Sequence, residues 1–150
     1  MNFSHSYFIR LALEEAKTAG EQGEVPIGAL VVLKNEVIGR GCNFVESGKN
    51  PLLHAEMEAM KYARNNIDGK WFTGATLYCT LEPCLMCAGA AVLNRFERIV
   101  FGASDPNWGA CGTLYNIPLD NRLNHRIEVV GGIMEAECGE LLRRFFAGKR

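Results

Sequence analysis

The sequence has no excess of either charge: 16 lysines and arginines face 17 aspartates and glutamates, for a net charge of -1. A chain this balanced has no bulk basic field to attract nucleic acid, so any RNA contact must be local. Long apolar runs are missing too. No window approaches the ~18 consecutive apolar residues that a membrane helix needs, and the opening MNFSHSYFIR has no basic stretch followed by an apolar one. The expectation is a soluble, cytoplasmic protein with no membrane contact. Repeats and linker-like tracts are absent, and glycine and proline are scattered through short turns. Residues 1–150 therefore read as a single domain, long enough to bury a continuous core. Six cysteines in a reducing compartment are thiols or metal ligands rather than a disulfide frame.

Apolar residues three or four apart predict a first helix from Ser4 to Ala19, ending at Gly20. Ile27 to Leu33 and Val37 to Gly41, joined by Lys34, Asn35 and Glu36, predict a hairpin whose first strand is well covered. A loop from Asn43 to Leu53 leads into a helix from about His54 to Asn65. Ala75 to Thr80 is a strand, Glu82 and Pro83 turn the chain, and Cys84 to Leu93 is a helix so apolar that burial on every side is expected. Arg98 to Phe101 is a short strand, and residues 102–124 form a long irregular segment of the kind that often carries function. Ile127 to Val130 is the last strand. In the final helix, from Glu135 to Phe146, the residues Cys138, Leu141, Leu142, Phe145 and Phe146 are expected to face inward. Strands alternating with helices argue for one sheet between helical layers.

Residue types that ligate zinc meet predicted helix starts at two places, His54-Ala55-Glu56 and Pro83-Cys84-Leu85-Met86-Cys87. Cys84 and Cys87 are one helical turn apart, which puts both sulfurs on one side, and Pro83 suits a first helical turn. A helix N-terminus favours thiolate over thiol, and one imidazole completes three protein ligands with the fourth position open. Structural zinc sites usually close with four protein ligands, so one catalytic Zn2+ per chain is expected. Zinc brings the pKa of bound water to about 7, and the chemistry needs a proton carrier beside it. Glu56, two residues from His54 on the same helix, is the candidate.

His-x-Glu with Pro-Cys-x-x-Cys is the signature of zinc nucleobase deaminases. The segments EVPIGALVV, HAEMEAM, TLYCTLEPCLMCAGA, RIVFGASD and NHRIEVVGGI extend the resemblance over nearly the whole chain. Together they resemble the bacterial tRNA adenosine deaminases that act at the anticodon wobble position. The resemblance implies an α/β fold, a cytidine-deaminase-like three-layer α/β/α sandwich on a mixed central sheet. It also implies a homodimer whose partner chain helps form the RNA groove. A tRNA anticodon stem-loop would be the substrate, its adenine flipped into the pocket and attacked at carbon 6 by zinc hydroxide while Glu56 carries the protons. By matched position it further implies that Asn43 contacts the flipped nucleoside, that the backbone near Ala55, Leu81 and Glu82 meets the base, and that Asp105 lies by the RNA. Departures from the family pattern are Leu53 before HAE, Ser104 after FGA, and Asn107-Trp108.

Simpler readings stand beside these. Cys42, Cys79, Cys111 and Cys138 have no partner at ligand spacing and read as small apolar fillers. His5 and His125 read as structural or surface residues, and Asn43 could merely end a strand. Trp108 could pack in the core or stack on a base. Arg143, Arg144, Lys149 and Arg150 could be a solvated helix end or a grip on phosphates. As functions, a deaminase of free guanine, cytosine or a nucleoside and a non-catalytic, zinc-stabilised RNA-binding module remain the alternatives.

Overall fold

A computed structural model describes residues 3–149. The first helix, α1 (His5–Glu21), starts at Ser4, whose hydroxyl accepts the Tyr7 N–H at 3.1 Å and satisfies one of the donors left free at a helix start. Its buried face is Phe8, Ile9, Ala12, Leu13, Ala16 and Ala19, following the three-and-four spacing of the sequence. β1 (Gly28–Leu33) and β2 (Glu36–Cys42) form the expected hairpin. Lys34 and Asn35 turn it with φ of 50° and 68°, the double positive φ that matches the twist of a two-residue hairpin.

The expected loop beyond β2 holds one turn of helix, α2 (Val45–Gly48), before α3 (Ala55–Ala63) and a 3-10 turn at Arg64–Asn66. β3 (Thr76–Leu81), α4 (Leu85–Leu93) and β4 (Arg98–Ala103) follow. The irregular segment then leads to β5 (Glu128–Val130) and α5 (Glu135–Ala147). The sheet order is β2-β1-β3-β4-β5, with β1 antiparallel to both neighbours and β3, β4 and β5 parallel. α1 and α5 cover one face, where Ile9, Leu13, Leu30 and Val100 cluster. α3 and α4 cover the other, over Val31, Leu77 and Ile99. This is the three-layer α/β/α sandwich on a mixed sheet.

Gly39 and Gly41 let α3 lie directly on β2. A β-carbon at Gly41 would overlap the Ala55 carbonyl, and one at Gly39 the Ala59 carbonyl. The close approach fixes the start of α3, and with it His54 and Glu56, against the sheet.

Three expectations are corrected. Cys84, with φ -75° and ψ 177°, is the N-cap of α4, so Pro83 lies outside the helix rather than in its first turn, and its carbonyl accepts the Ala110 N–H at 2.9 Å. α4 is not buried all round: Cys87, Ala88, Ala91 and Val92 are buried, whereas Leu85 is 47% and Leu93 75% exposed. One sheet face and α3 cover a single side of that helix. In α5 only Cys138 is fully buried; Leu141, Leu142 and Phe145 are partly covered, and Phe146 is 52% exposed. α5 packs mainly on β4 near the sheet margin, which has little surface to offer the helix's last turns.

Candidate active site

The starts of α3 and α4 meet beyond the carboxyl end of β3, the end of a parallel pair where α/β folds place their ligands. His54 caps α3 with extended backbone (φ -74°, ψ 151°), as Cys84 caps α4. Neither side chain is spent on capping its own helix, which leaves both free to face a common point. Cys87 arrives one turn along α4. His54 Nδ1 lies 3.5 Å from Cys84 Sγ and 3.6 Å from Cys87 Sγ. A tetrahedral zinc with Zn–N of about 2.05 Å and Zn–S of about 2.3 Å separates such a nitrogen and sulfur by about 3.6 Å. The two nitrogen–sulfur separations are therefore those of a zinc tetrahedron. Among the described residues these three form the one His/Cys/Asp/Glu group with metal-ligand spacing.

Glu56 is 4% exposed and stands outside the ligand group. Burial, reinforced by the neighbouring Cys84 charge, pushes its carboxyl up to about 7, while its own backbone N–H and His54 pull the other way. The Cys84 thiol is pulled down to about 4, first by its hydrogen bond with Cys87 and then by His54, as suits a thiolate ligand.

The group opens into a cavity of about 480 Å³ lined by His54, Cys84 and Glu56 together with Asn43, Ala55, Leu81, Glu82 and Asp105. Cys87 sits just behind the wall. Each of the sequence-selected residues thus falls in or against one space. Asn43 directly follows β2 and lines the cavity, its amide donating to the Val25 carbonyl at 3.3 Å and its oxygen accepting the Val45 N–H at 3.4 Å. Ala55 opens α3, where an N–H has no acceptor within the helix. Leu81 ends β3. The Glu82 N–H is committed to the Ala103 carbonyl at 2.8 Å, and the Glu82 side chain turns into the protein. Asp105 organises its own loop, Oδ1 accepting the N–H groups of Asn107 and Trp108 at 2.9 and 3.2 Å. Trp108 is on the cavity wall and 62% exposed, so it is not a core residue.

The remaining candidates have other occupations. His5 Nδ1 pairs with the Tyr78 hydroxyl at 2.8 Å, and His125 Nε2 with the Phe96 carbonyl at 2.6 Å. Cys79, Cys111 and Cys138 are buried and Cys42 half-buried, all unbridged. Arg143 and Arg144 both pair with Glu140 on the surface, Lys149 sits over the Phe145 ring, and Arg150 lies outside the described residues.

The sequence reading missed Val25, Ile27, Val45 and Met86 on the cavity wall, and the work of the Glu24 and Glu82 side chains. An acid opening the apolar run EVPIGALVV was the available sign for Glu24. Both carboxyls are held below their ordinary value: burial pushes them up, but hydrogen bonds outweigh it, from Ser47 and Glu46 for Glu24 and from Thr113, Asp105 and Cys111 for Glu82.

Residues 3–103 match the family described as the cytidine and deoxycytidylate deaminase zinc-binding region. The tRNA-specific adenosine deaminase of Bacillus subtilis is 50% identical over 140 residues, covering 93% of this chain and 86% of that protein. The chain belongs to this zinc-dependent deaminase family, among its tRNA-specific adenosine deaminases. A solved structure from work on A-to-I editing by tRNA:A34 deaminases at the wobble position superposes on the deaminase with a TM-score of 0.86 and 39% identity, over 91% of this chain and 99% of that one. Guanine deaminase from Nitrosomonas europaea has a TM-score of 0.82 at 21% identity, over 98% of this chain and 86% of that one, a likeness of fold alone. Zinc is the family's cofactor, and the His54, Cys84 and Cys87 group is compatible with one ion. Among the described residues of the deaminase no helix is long and apolar enough to cross a membrane.

Proposed function

We propose that this deaminase converts adenosine to inosine at the wobble position of a tRNA anticodon. In this reading His54, Cys84 and Cys87 hold one zinc and Glu56 carries protons. The observation that carries it is the junction of the tetrahedral donor set with a buried carboxyl at the floor of a cavity of about 480 Å³, room enough for a base taken out of its stack. The named activities of the Bacillus relative and of the tRNA:A34 deaminase support the choice of substrate.

Zinc, when bound, activates water at neutral pH. Every other part falls to the chain. Glu56, buried beside the donor set, takes one proton from the attacking water and gives it to N1 of the adenine ring, then takes the second from the new hydroxyl at carbon 6 and gives it to the amine, so that a carbon–oxygen bond forms, the carbon–nitrogen bond breaks, and ammonia leaves inosine behind. Asn43 and the α3 N-terminus at Ala55 bind the nucleoside, with Leu81 and the Glu82 segment against the base. Trp108, exposed at the wall, stacks on a neighbouring base, and Asp105 holds the turn that carries it.

We further propose a cytoplasmic homodimer. The uncovered face of α4, with Leu85 and Leu93, offers apolar surface that a second copy would cover.

The deciding experiment offers an anticodon stem-loop with adenosine at the wobble position beside free adenosine, cytidine, guanine and cytosine, reading inosine by mass spectrometry and ammonia release. Inosine in the RNA with little turnover of the small compounds is expected. Efficient turnover of free guanine or cytosine with no inosine in any tRNA would move the chain to the free-base branch. Zinc retention with no turnover of any substrate, and no loss on replacing Glu56, would leave a binding module.

A further inference from the structure

Two buried carboxylates take no part in that chemistry. Glu24 is fully buried and Glu82 is 2% exposed, and neither forms an ion pair among the described residues. A carboxylate in such a place is costly unless its oxygens are hydrogen-bonded. Both are, and the donors come from the two cavity segments that no strand or long helix supports. Glu24 accepts the N–H groups of Glu46 at 3.0 Å and Ser47 at 2.6 Å. Glu82 accepts four bonds: Oε1 from the Asp105 N–H at 3.1 Å and the Thr113 hydroxyl at 2.5 Å, Oε2 from the N–H groups of Cys111 at 3.0 Å and Thr113 at 3.1 Å. Residues 43–48 bring Asn43 and Val45 to the cavity, and residues 105–113 bring Asp105 and Trp108. Gly109 marks how tightly the second segment is drawn in, since a β-carbon there would stand 2.5 Å from Glu82 Oε1.

We propose that Glu24 and Glu82 are positioning residues of the active site, each gathering the backbone donors of one irregular wall and fixing that wall where the RNA meets it. The choice of RNA rests on the proposed function; the wall-holding rests on the hydrogen bonds alone. Glutamine keeps the shape of glutamate but offers a single acceptor oxygen and places an NH2 group against donors. Glu24→Gln should therefore loosen 43–48 and leave 105–113 alone, and Glu82→Gln should do the reverse.

Hydrogen exchange and steady-state kinetics on the zinc-loaded protein test this. In Glu82→Gln the amides of Asp105, Cys111 and Thr113 should exchange about tenfold faster while those of Glu46 and Ser47 keep their rates, and Glu24→Gln should show the opposite pattern. In both variants KM for the stem-loop should rise about fivefold or more with kcat within about twofold, because binding geometry is lost while Glu56 and the side chains of the donor set are all retained. Thr113→Val removes one hydroxyl donor at nearly constant volume and should show a weaker form of the Glu82→Gln pattern, which keeps the idea testable if the glutamine variants do not fold. Unchanged exchange in each variant's own wall, equal acceleration in both walls, or a fall in kcat at constant KM would overturn the assignment. If the wild type forms no inosine in any stem-loop, the substrate reading fails, and the two-wall exchange pattern still decides the positioning role.

Discussion

Gly41 lies directly beneath Ala55, so close that a β-carbon on the glycine would overlap the Ala55 carbonyl. The strand therefore sets the height of the helix start that carries His54 and Glu56. Gly41→Ala is expected to destabilise the fold by ~1–3 kcal/mol through overpacking, and to lower zinc content because His54 rides on the displaced helix start. Thermal unfolding beside metal analysis checks both. A variant that unfolds at the wild-type temperature with full zinc would mean that β2 does not set the site.

His54, Cys84 and Cys87 supply the protein ligands proposed for the ion. Cys84→Ala should weaken zinc affinity by more than ~10-fold, since changing even an outer partner of a metal ligand commonly costs 10 to 100-fold. Metal content after dialysis against a chelator measures it, and turnover should fall in parallel. Full zinc and full activity in this variant would remove Cys84 from the site.

Replacing Glu56 should separate metal from chemistry. Glu56→Ala is expected to keep its zinc and its circular dichroism spectrum while turnover falls by ~10²–10⁴, the usual contribution of a positioned acid–base group. Near-normal turnover would exclude Glu56 as the proton carrier.

The clustering of His54, Cys84 and Cys87 was legible because its information is local: a pair one helical turn apart, and a His-x-Glu at another helix start, survive translation into structure almost unchanged. Strand and helix order were legible for the same reason. Cover was not. Apolar periodicity says which face of α5 could be buried, but Phe146 is exposed because the sheet margin runs out beneath it, and α4 leaves Leu93 uncovered although its sequence is apolar throughout. Nor were the duties of Glu24 and Glu82 visible, since their donors lie 22 to 31 residues away and are mostly backbone groups that carry no sequence signature.

Leu93 gives a direct handle on assembly. At 75% exposure within one chain, its replacement by glutamate should leave the folded protomer intact. In a dimer that covers α4 the same charge would be buried without a partner. Leu93→Glu is therefore expected to shift sedimentation at micromolar concentration from dimer to monomer with little change in circular dichroism. A wild type that already sediments as a monomer would count against the dimer.

Salt should separate RNA from free nucleoside. With a net charge of -1 the deaminase has no long-range attraction, yet local phosphate contacts release counterions, so the logarithm of stem-loop affinity should fall by about 0.7 per contact for each tenfold rise in salt. Free adenosine, which has no phosphate, should bind with no such slope. Fluorescence titration at several salt concentrations reads both, and a flat response for the stem-loop would argue against phosphate contacts.

The division of labour around the cavity also bears on redesign. The donor set and Glu56 are fixed by helix starts pressed onto the sheet, whereas Asn43, Val45, Asp105 and Trp108 hang on two tethered segments. Under the proposed function, substrate choice and bond-making chemistry are separable parts. Grafting the equivalent segments from a deaminase of another specificity, each with its own anchoring carboxylate, would exchange the reading head while leaving the engine in place.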